Sequence, residues 1–202
     1  MSCKCLTAEL LAAAIYHQAS RFVDLKEFKP NQDWDNPKTP GPDTALVKEL
    51  RALMLPTPWQ PGWAYCAAFC EGIVAAAIAE VGTPEQVAKF RAVMTAGVLD
   101  SRNRFKAKGM LVQTPVEGAV WLAQHGSTSN GHAGIVTSVA PTSGGIYIKT
   151  IEANTSKDAT DPDKDREGDW ITRRGPFSSQ GRGTLKTVGF VTPSAIIKLI
   201  TA

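Results

Sequence analysis

The sequence predicts an α+β fold, in which helices pack on an antiparallel sheet. Its first half holds segments with apolar residues at helical spacing and with capping residues before them. After about Gly109 the pattern changes to short β-branched runs separated by turn signals. Helices that precede a group of strands along the chain are typical of the α+β class.

Four helices are expected in the first half. Three of them begin after a residue that can cap a helix, and the other begins at a cysteine that follows a turn rich in tryptophan, glycine and proline. The last has proline at its first position and glutamine at its third, as in a capping box. We predict helices from Thr7 to about Phe22, from Ala45 to Leu55, from Cys66 through the apolar run Ile73–Ala79, and from Thr83 to Gly97, with a loop from Lys29 to Pro42.

The second half predicts a sheet of about five to six strands. Two central runs, Ala133–Val139 and Ile146–Ile151, are separated by the turn residues Pro141–Gly145, so we expect a hairpin. In an antiparallel hairpin the end of the second strand lies beside the start of the first. The other predicted strands are Val116–Ala123, Asp169–Arg173 and Leu185–Val191.

Composition excludes several classes of function. The 202 residues and 43% hydrophobic content predict one domain with an ordinary core. A net charge of +3 is too small to indicate nucleic-acid binding, although it does not hinder approach to an anionic surface such as a cell wall. The start, Met1–Cys5, lacks the apolar segment of a secretory signal, and the longest apolar run is too short for membrane insertion. We therefore expect synthesis in the cytoplasm.

The four cysteines do not predict a disulfide scaffold in a chain of this size. The spacing of Cys3 and Cys5, and of Cys66 and Cys70, leaves a zinc site as an alternative that fits tetrahedral ligation poorly. We expect no metal and no cofactor. Cys70 then becomes a small buried apolar residue one turn after Cys66.

Cys66 is the strongest candidate for chemistry. It follows a turn and opens a helix, where free backbone N–H groups and the helix dipole favour thiolate over thiol. A thiolate is the nucleophile of cysteine hydrolases. Trp59, Trp63 and Tyr65 are near it in sequence and either wall a substrate groove or pack the loop. The backbone N–H of Cys66 and the side chain of Gln60 are candidate donors to an oxyanion.

Cysteine hydrolysis also needs a base and a group that orients it. Of the three histidines His132 fits best, because it begins an apolar strand between Gly131 and Gly134. The other two are expected on a helix and in a solvated loop. Glu152 and Asn154 end the next strand, two residues apart and so on one face of it. The hairpin predicts that one of them lies beside the imidazole, although each is also typical of a structural strand end.

Several segments together resemble a known family. Tyr65–Phe69 reads Tyr-Cys-Ala-Ala-Phe, Gly131–Val136 reads Gly-His-Ala-Gly-Ile-Val, and Thr150–Asn154 reads Thr-Ile-Glu-Ala-Asn. In type and order they are similar to the cysteine, histidine and acid motifs of the CHAP family, the cysteine- and histidine-dependent amidohydrolases/peptidases. Thr114–Val120 is similar to another family motif, with Ala119 where aspartate is usual.

The resemblance implies a papain-like fold and cleavage of a peptidoglycan amide, in the stem peptide or at its sugar junction. It implies that Cys66 is the nucleophile, His132 the base, Glu152 the orienting acid and Asn154 a supporting residue. Ala153 stands where the family often has glycine.

The resemblance also shapes what we expect of the whole chain. Residues 1–202 would form a single catalytic domain, with residues 1–55 as a helical extension and 56–202 as the CHAP-like core. The expected partners are bacterial peptidoglycan and an inhibitor or export partner. The protein would be a phage lysin released through a membrane hole, or a toxin exported by a dedicated machine. Two alternatives stay open: a papain-like protease or acyltransferase on another substrate, and an inert phage structural or binding protein with the same fold.

Overall fold

A computed structural model describes residues 6–26, 44–55, 63–156 and 168–202. Within these ranges six helices pack with one six-stranded antiparallel sheet, which confirms the α+β prediction. The predicted loop from Lys29 to Pro42 lies outside them. The helices are α1 (Ala8–Ser20), α2 (Ala45–Met54), α3 (Cys66–Val81), α4 (Pro84–Arg91), α5 (Val98–Ala107) and α6 (Pro193–Thr201), and the strands are β1 (Val120–His125), β2 (Gly131–Thr142), β3 (Gly145–Thr155), β4 (Trp170–Ser178), β5 (Gly181–Arg182) and β6 (Leu185–Val191).

The predicted capping residues begin three of the helices. The hydroxyl groups of Thr7 and Thr44 each accept a backbone N–H from the first turn of α1 and α2, both at 3.2 Å. Thr83 and Gln86 form the predicted capping box at the start of α4. These local bonds explain why the helix starts follow directly from sequence.

The predicted end of the fourth helix at Gly97 is wrong. α4 ends at Arg91, and a separate helix, α5, begins at Val98. Between them the backbone N–H of Thr95 donates to the hydroxyl of Ser101 at 2.9 Å, and that hydroxyl donates to the Thr95 carbonyl at 3.1 Å. These buried bonds satisfy polar groups of the turn that separates the two helices.

The strands follow the order β4-β3-β2-β1-β6-β5. The predicted hairpin is confirmed: β2 and β3 are antiparallel, with Thr142 opposite Gly145 and Gly134 opposite Glu152. The first strand begins at Val120 rather than at Val116. Residues 116–119 form a turn instead, in which Gly118 has the positive φ of 78° that glycine adopts without strain.

Helix α3 is the buried centre of the fold. All of its residues from Cys66 to Ala75 are buried, and it packs against α1, α2 and α4 and against strands β2 and β3. A Cβ on Gly72 would lie 2.9 Å from a carbonyl oxygen of α2, so glycine permits the close approach of the two helices. Because α3 is enclosed by neighbours, its first residue has a fixed position relative to the sheet. No helix in the described ranges is long and apolar enough to cross a membrane.

One acidic residue of this helix is buried in the core. Glu71 is fully buried and accepts two hydrogen bonds from Arg91, at 2.7 and 2.9 Å, which tie α3 to the end of α4. Burial raises the pKa of Glu71 to about 8, although Arg91 acts in the opposite direction. The pair is a structural contact of the core.

Candidate active site

Cys66 is the first residue of α3 and borders a small cavity. At this helix start, unlike those of α1, α2 and α4, the side chain of the residue before the helix, Tyr65, accepts no hydrogen bond from the first turn. The N–H of Cys66 is one of the first-turn donors that an α-helix leaves without an intrahelical partner. The sulfur and a hydrogen-bond donor therefore belong to the same residue at the cavity edge.

Strand β2 places His132 next to this thiol. The imidazole interacts with the side chain of Cys66, which lines the same cavity, and its Nε2 lies 2.7 Å from Oε2 of Glu152. Since Nε2 faces the carboxylate, Nδ1 is the nitrogen left for the sulfur. The ring of Trp121 meets the imidazole edge-on, at 6.1 Å between centroids, and restrains its orientation.

Glu152 is fully buried on β3 and is held by several donors. The guanidinium of Arg182 forms a fork with it, with Nη1 2.6 Å from Oε1 and Nη2 2.5 Å from Oε2. The hydroxyl of Thr150 also donates to Oε1, at 2.5 Å. Burial alone would raise the pKa of Glu152, but the hydrogen bonds and charges of Arg182 and His132 outweigh it and hold this pKa well below its usual range. The carboxyl group is therefore ionised at neutral pH.

The charge on His132 follows from the same neighbours. Burial acts to lower the pKa of the imidazole, but its hydrogen bonds and charge interactions with Cys66 and Glu152 raise this pKa to about 9. At neutral pH the ring is thus an imidazolium between a sulfur and a carboxylate. It carries the proton that a departing amine would need.

Asn154 lies near the same site but contacts a different group. Its amide oxygen accepts the backbone N–H of Tyr65 at 3.5 Å, at the start of α3. Its φ of 58° is left-handed, a conformation that asparagine tolerates better than most residues. Asn154 lines the cavity together with Cys66 and His132, and the pairing of β3 with β4 shifts register between Glu152 and Thr155. Of the two, Glu152 is the residue bonded to the imidazole.

The aromatic residues near Cys66 lie in different places. Trp63 is about half exposed, at 51%, shortly before α3. Tyr65 is fully buried, and its hydroxyl donates to the Asp169 carbonyl at 3.4 Å, so it packs the structure and does not wall a groove. Trp59 and Gln60 lie outside the described residues.

The cavity in front of the thiol has a volume of about 190 Å³. His125, predicted in a solvated loop, instead ends β1 on the cavity wall, where its Nδ1 lies 3.2 Å from the Thr184 hydroxyl. Lys, Arg, Asp and Glu are absent from the described lining. The lining residues are Ala64, Cys66, Ala96, Gly97, Val98, His125, Ser129, Asn130, Gly131, His132 and Asn154.

Sequence reasoning missed several residues that support the site. Arg182 falls in none of the predicted motifs, and it stands 30 positions from its partner Glu152. Thr150 falls inside the acid motif, two residues before Glu152, and that spacing on one strand face could have identified it. Within the described ranges, no group of three or more His, Cys, Asp or Glu residues is placed to hold a metal ion.

Gly134 makes room for Glu152. The two residues are directly opposite each other, and a Cβ on Gly134 would lie 2.7 Å from Cγ of Glu152. We expect Gly134→Ala to displace the carboxylate and to lower the free energy of unfolding by about 1–3 kcal/mol. Urea denaturation measures the stability, and ¹⁵N NMR of the hydrogen-bonded imidazole measures the displacement.

Gly144→Ala is the matched control for this variant. Gly144 is exposed in the β2–β3 turn, and the nearest atoms to its Cβ would be at 3.8 Å. It should leave both measurements near the wild-type values. Equal effects of the two substitutions would contradict a specific contact between residue 134 and Glu152.

Comparisons of the chain with protein-family models, with curated proteins and with solved structures found no match.

Proposed function

We propose that the protein is a cysteine-dependent peptidoglycan hydrolase with a papain-like fold. The observation that carries the proposal is that Cys66 and His132 line one cavity while Glu152 is hydrogen-bonded to His132 behind it. It supplies a nucleophile, a proton carrier and an orienting acid, which are the parts that acyl transfer through cysteine requires. A helix that carries the sulfur and a packed antiparallel sheet that carries the other two support the papain-like assignment.

The cell wall as substrate is supported by the motifs around these three residues, which resemble those of CHAP hydrolases. The cavity volume of about 190 Å³ is below the roughly 300–1,000 Å³ of pockets that enclose a whole small ligand. A site of this size suits one short, uncharged part of a larger polymer. An alanine- or glycine-sized residue of a wall peptide has that character.

The first half of the reaction forms an acyl-enzyme. The thiolate of Cys66 attacks the amide carbonyl carbon, and the backbone N–H of Cys66 donates to the oxyanion. Gln60 remains the proposed second donor. The imidazolium of His132 gives its proton to the amide nitrogen, the C–N bond breaks, and the amine leaves. The acyl group is then joined to the sulfur as a thioester.

The second half releases the acid. Neutral His132 takes a proton from water, and the resulting hydroxide attacks the thioester carbonyl. The C–S bond breaks, which gives a carboxylic acid product and restores the thiolate with its imidazolium partner. Glu152 accepts the Nε2–H throughout and fixes the ring with Nδ1 toward the sulfur.

Purified sacculi test the proposed function. We expect the protein to release soluble fragments, each cleavage leaving one new amine and one new carboxyl end, and mass spectrometry of the fragments identifies the amide that is cut. Denatured casein is offered in parallel. Cleavage of casein but not of sacculi would indicate a protease with the same chemistry, and cleavage of neither would indicate an inert protein. Action on the wall further requires release from the cell, through a membrane hole or a secretion system.

A further inference from the structure

A partly buried cation, Arg182, lies behind the carboxylate of Glu152. It belongs to the two-residue strand β5, and its side chain is 21% exposed. Both terminal nitrogens are used in the fork to Glu152, at 2.6 and 2.5 Å. Because a fork of two parallel N–H bonds fixes the carboxylate plane as well as its position, it also fixes the oxygen that reaches His132.

Two aromatic rings hold the guanidinium in place. Its central carbon lies 5.3 Å from the ring centroid of Trp121 and 4.6 Å from that of Phe177. Trp121 also meets the imidazole of His132 edge-on. One indole therefore contacts both the arginine and the histidine on either side of the carboxylate.

We propose that Arg182 is a positioning residue that orients Glu152 and, through its charge, keeps the imidazolium of His132 acidic enough to protonate the leaving amine. The inference rests on the proposed function and deepens it. A buried carboxylate with no cation beside it would hold the imidazole proton more tightly, and proton transfer to the amine would become less favourable. Arg182 offsets that charge without touching the reacting atoms.

Other titratable groups lie on the elements packed around this site. α3 contributes Cys66 and also Cys70, whose pKa is raised by burial and by the charges of Cys66 and Glu152. The end of β1 contributes His125 to the cavity wall. On β4, Arg174 lies opposite Thr150 and donates to the Ser156 carbonyl at 2.9 Å. Arg182 differs from these groups because it pairs directly with the carboxylate that bonds His132.

Removal of the Arg182 charge should shift neighbouring pKa values in one direction. Loss of a nearby positive charge raises the pKa of the groups around it, since each then gains a proton more easily. For Arg182→Gln we expect the alkaline limb of the pH–kcat/KM profile on soluble peptidoglycan fragments to move upward by about one pH unit. The alkaline limb of the wild type should fall near pH 9, where His132 loses its proton. The maximal rate should drop about tenfold or more, because the fork is also lost.

Arg182→Lys separates charge from geometry. Lysine keeps the positive charge but cannot form the planar fork. The pH–kcat/KM profile of Arg182→Lys should have its limbs at the same pH values as the wild type, with a lower maximal rate. Arg173→Gln, an exposed arginine on β4, is the control for loss of one surface charge and should match the wild type in limbs and rate.

NMR titration of the His132 ring tests the inference without turnover. The midpoint should rise by about one pH unit in Arg182→Gln and stay at the wild-type value in Arg182→Lys. An unchanged midpoint in folded Arg182→Gln would overturn the charge role. A shifted midpoint in Arg182→Lys would also overturn it, and this second measurement decides the question if Arg182→Gln does not fold. A raised midpoint in a protein that hydrolyses no sacculi would reject the proposed function while the coupling of Arg182 to His132 stands.

Discussion

Cys66→Ala should abolish hydrolysis of sacculi while the protein stays folded. In the proposed mechanism the sulfur forms the bond to the acyl group, and alanine offers no atom that can replace it. Loss of a covalent nucleophile typically costs about 10⁴-fold or more in rate. Alanine is a good helix former, and the residue begins α3, so the helix should remain. Fragment release measures the rate, and circular dichroism with thermal unfolding measures the fold.

Cys70→Ala is the matched control. Cys70 lies one turn further along α3, is fully buried, and burial holds the pKa of its thiol well above the usual range. It therefore stays a neutral thiol in the core and should be dispensable for activity. Equal loss in the two variants would point to damage of α3 rather than to removal of a nucleophile. Full activity of Cys66→Ala would end the proposed mechanism.

Local sequence signals predicted much of the fold. Thr7, Thr44 and Thr83 each act within the first turn of the helix they begin, so neighbouring residues suffice to predict α1, α2 and α4. The β2–β3 hairpin was predictable for the same reason, because its turn lies between two adjacent apolar runs. α5 was missed because it is rich in charged residues and because its start depends on the bonds between Thr95 and Ser101.

The candidate site also contains residues that local sequence signals predict and residues that they do not. The three residues Cys66, His132 and Glu152 could be predicted, since each falls in a short motif and the hairpin brings the last two together. Arg182 could not, because it reaches Glu152 only after β6 pairs with β1 and β5 folds back upon β6. The contact of Asn154 with the start of α3 depends on a positive φ, which a strand pattern does not predict.

His132→Ala should lower the hydrolysis rate about 10³-fold, within the range that general acid–base groups contribute. Without the imidazole, the proposed mechanism lacks its proton donor for the amine and its base for water. The fold should persist, because Glu152 keeps its bonds to Arg182 and Thr150 and is not left as an unpaired buried charge. Fragment release again measures the rate, and His17→Ala, at an exposed histidine of α1, is the control that should stay active.

The same variant changes how stability depends on pH. The pKa of His132 is raised in the folded protein from 6.5 to about 9, so the stabilisation from this group is fully present below pH 6.5 and is lost as pH rises through 9. The difference in unfolding free energy between wild type and His132→Ala should therefore shrink across this window, by at most about 3 kcal/mol. Urea titrations at several pH values measure it. If His132→Ala ran parallel to the wild type across this window, the imidazole would not carry its charge between Cys66 and Glu152, and proton donation from it to the amine would lose its basis.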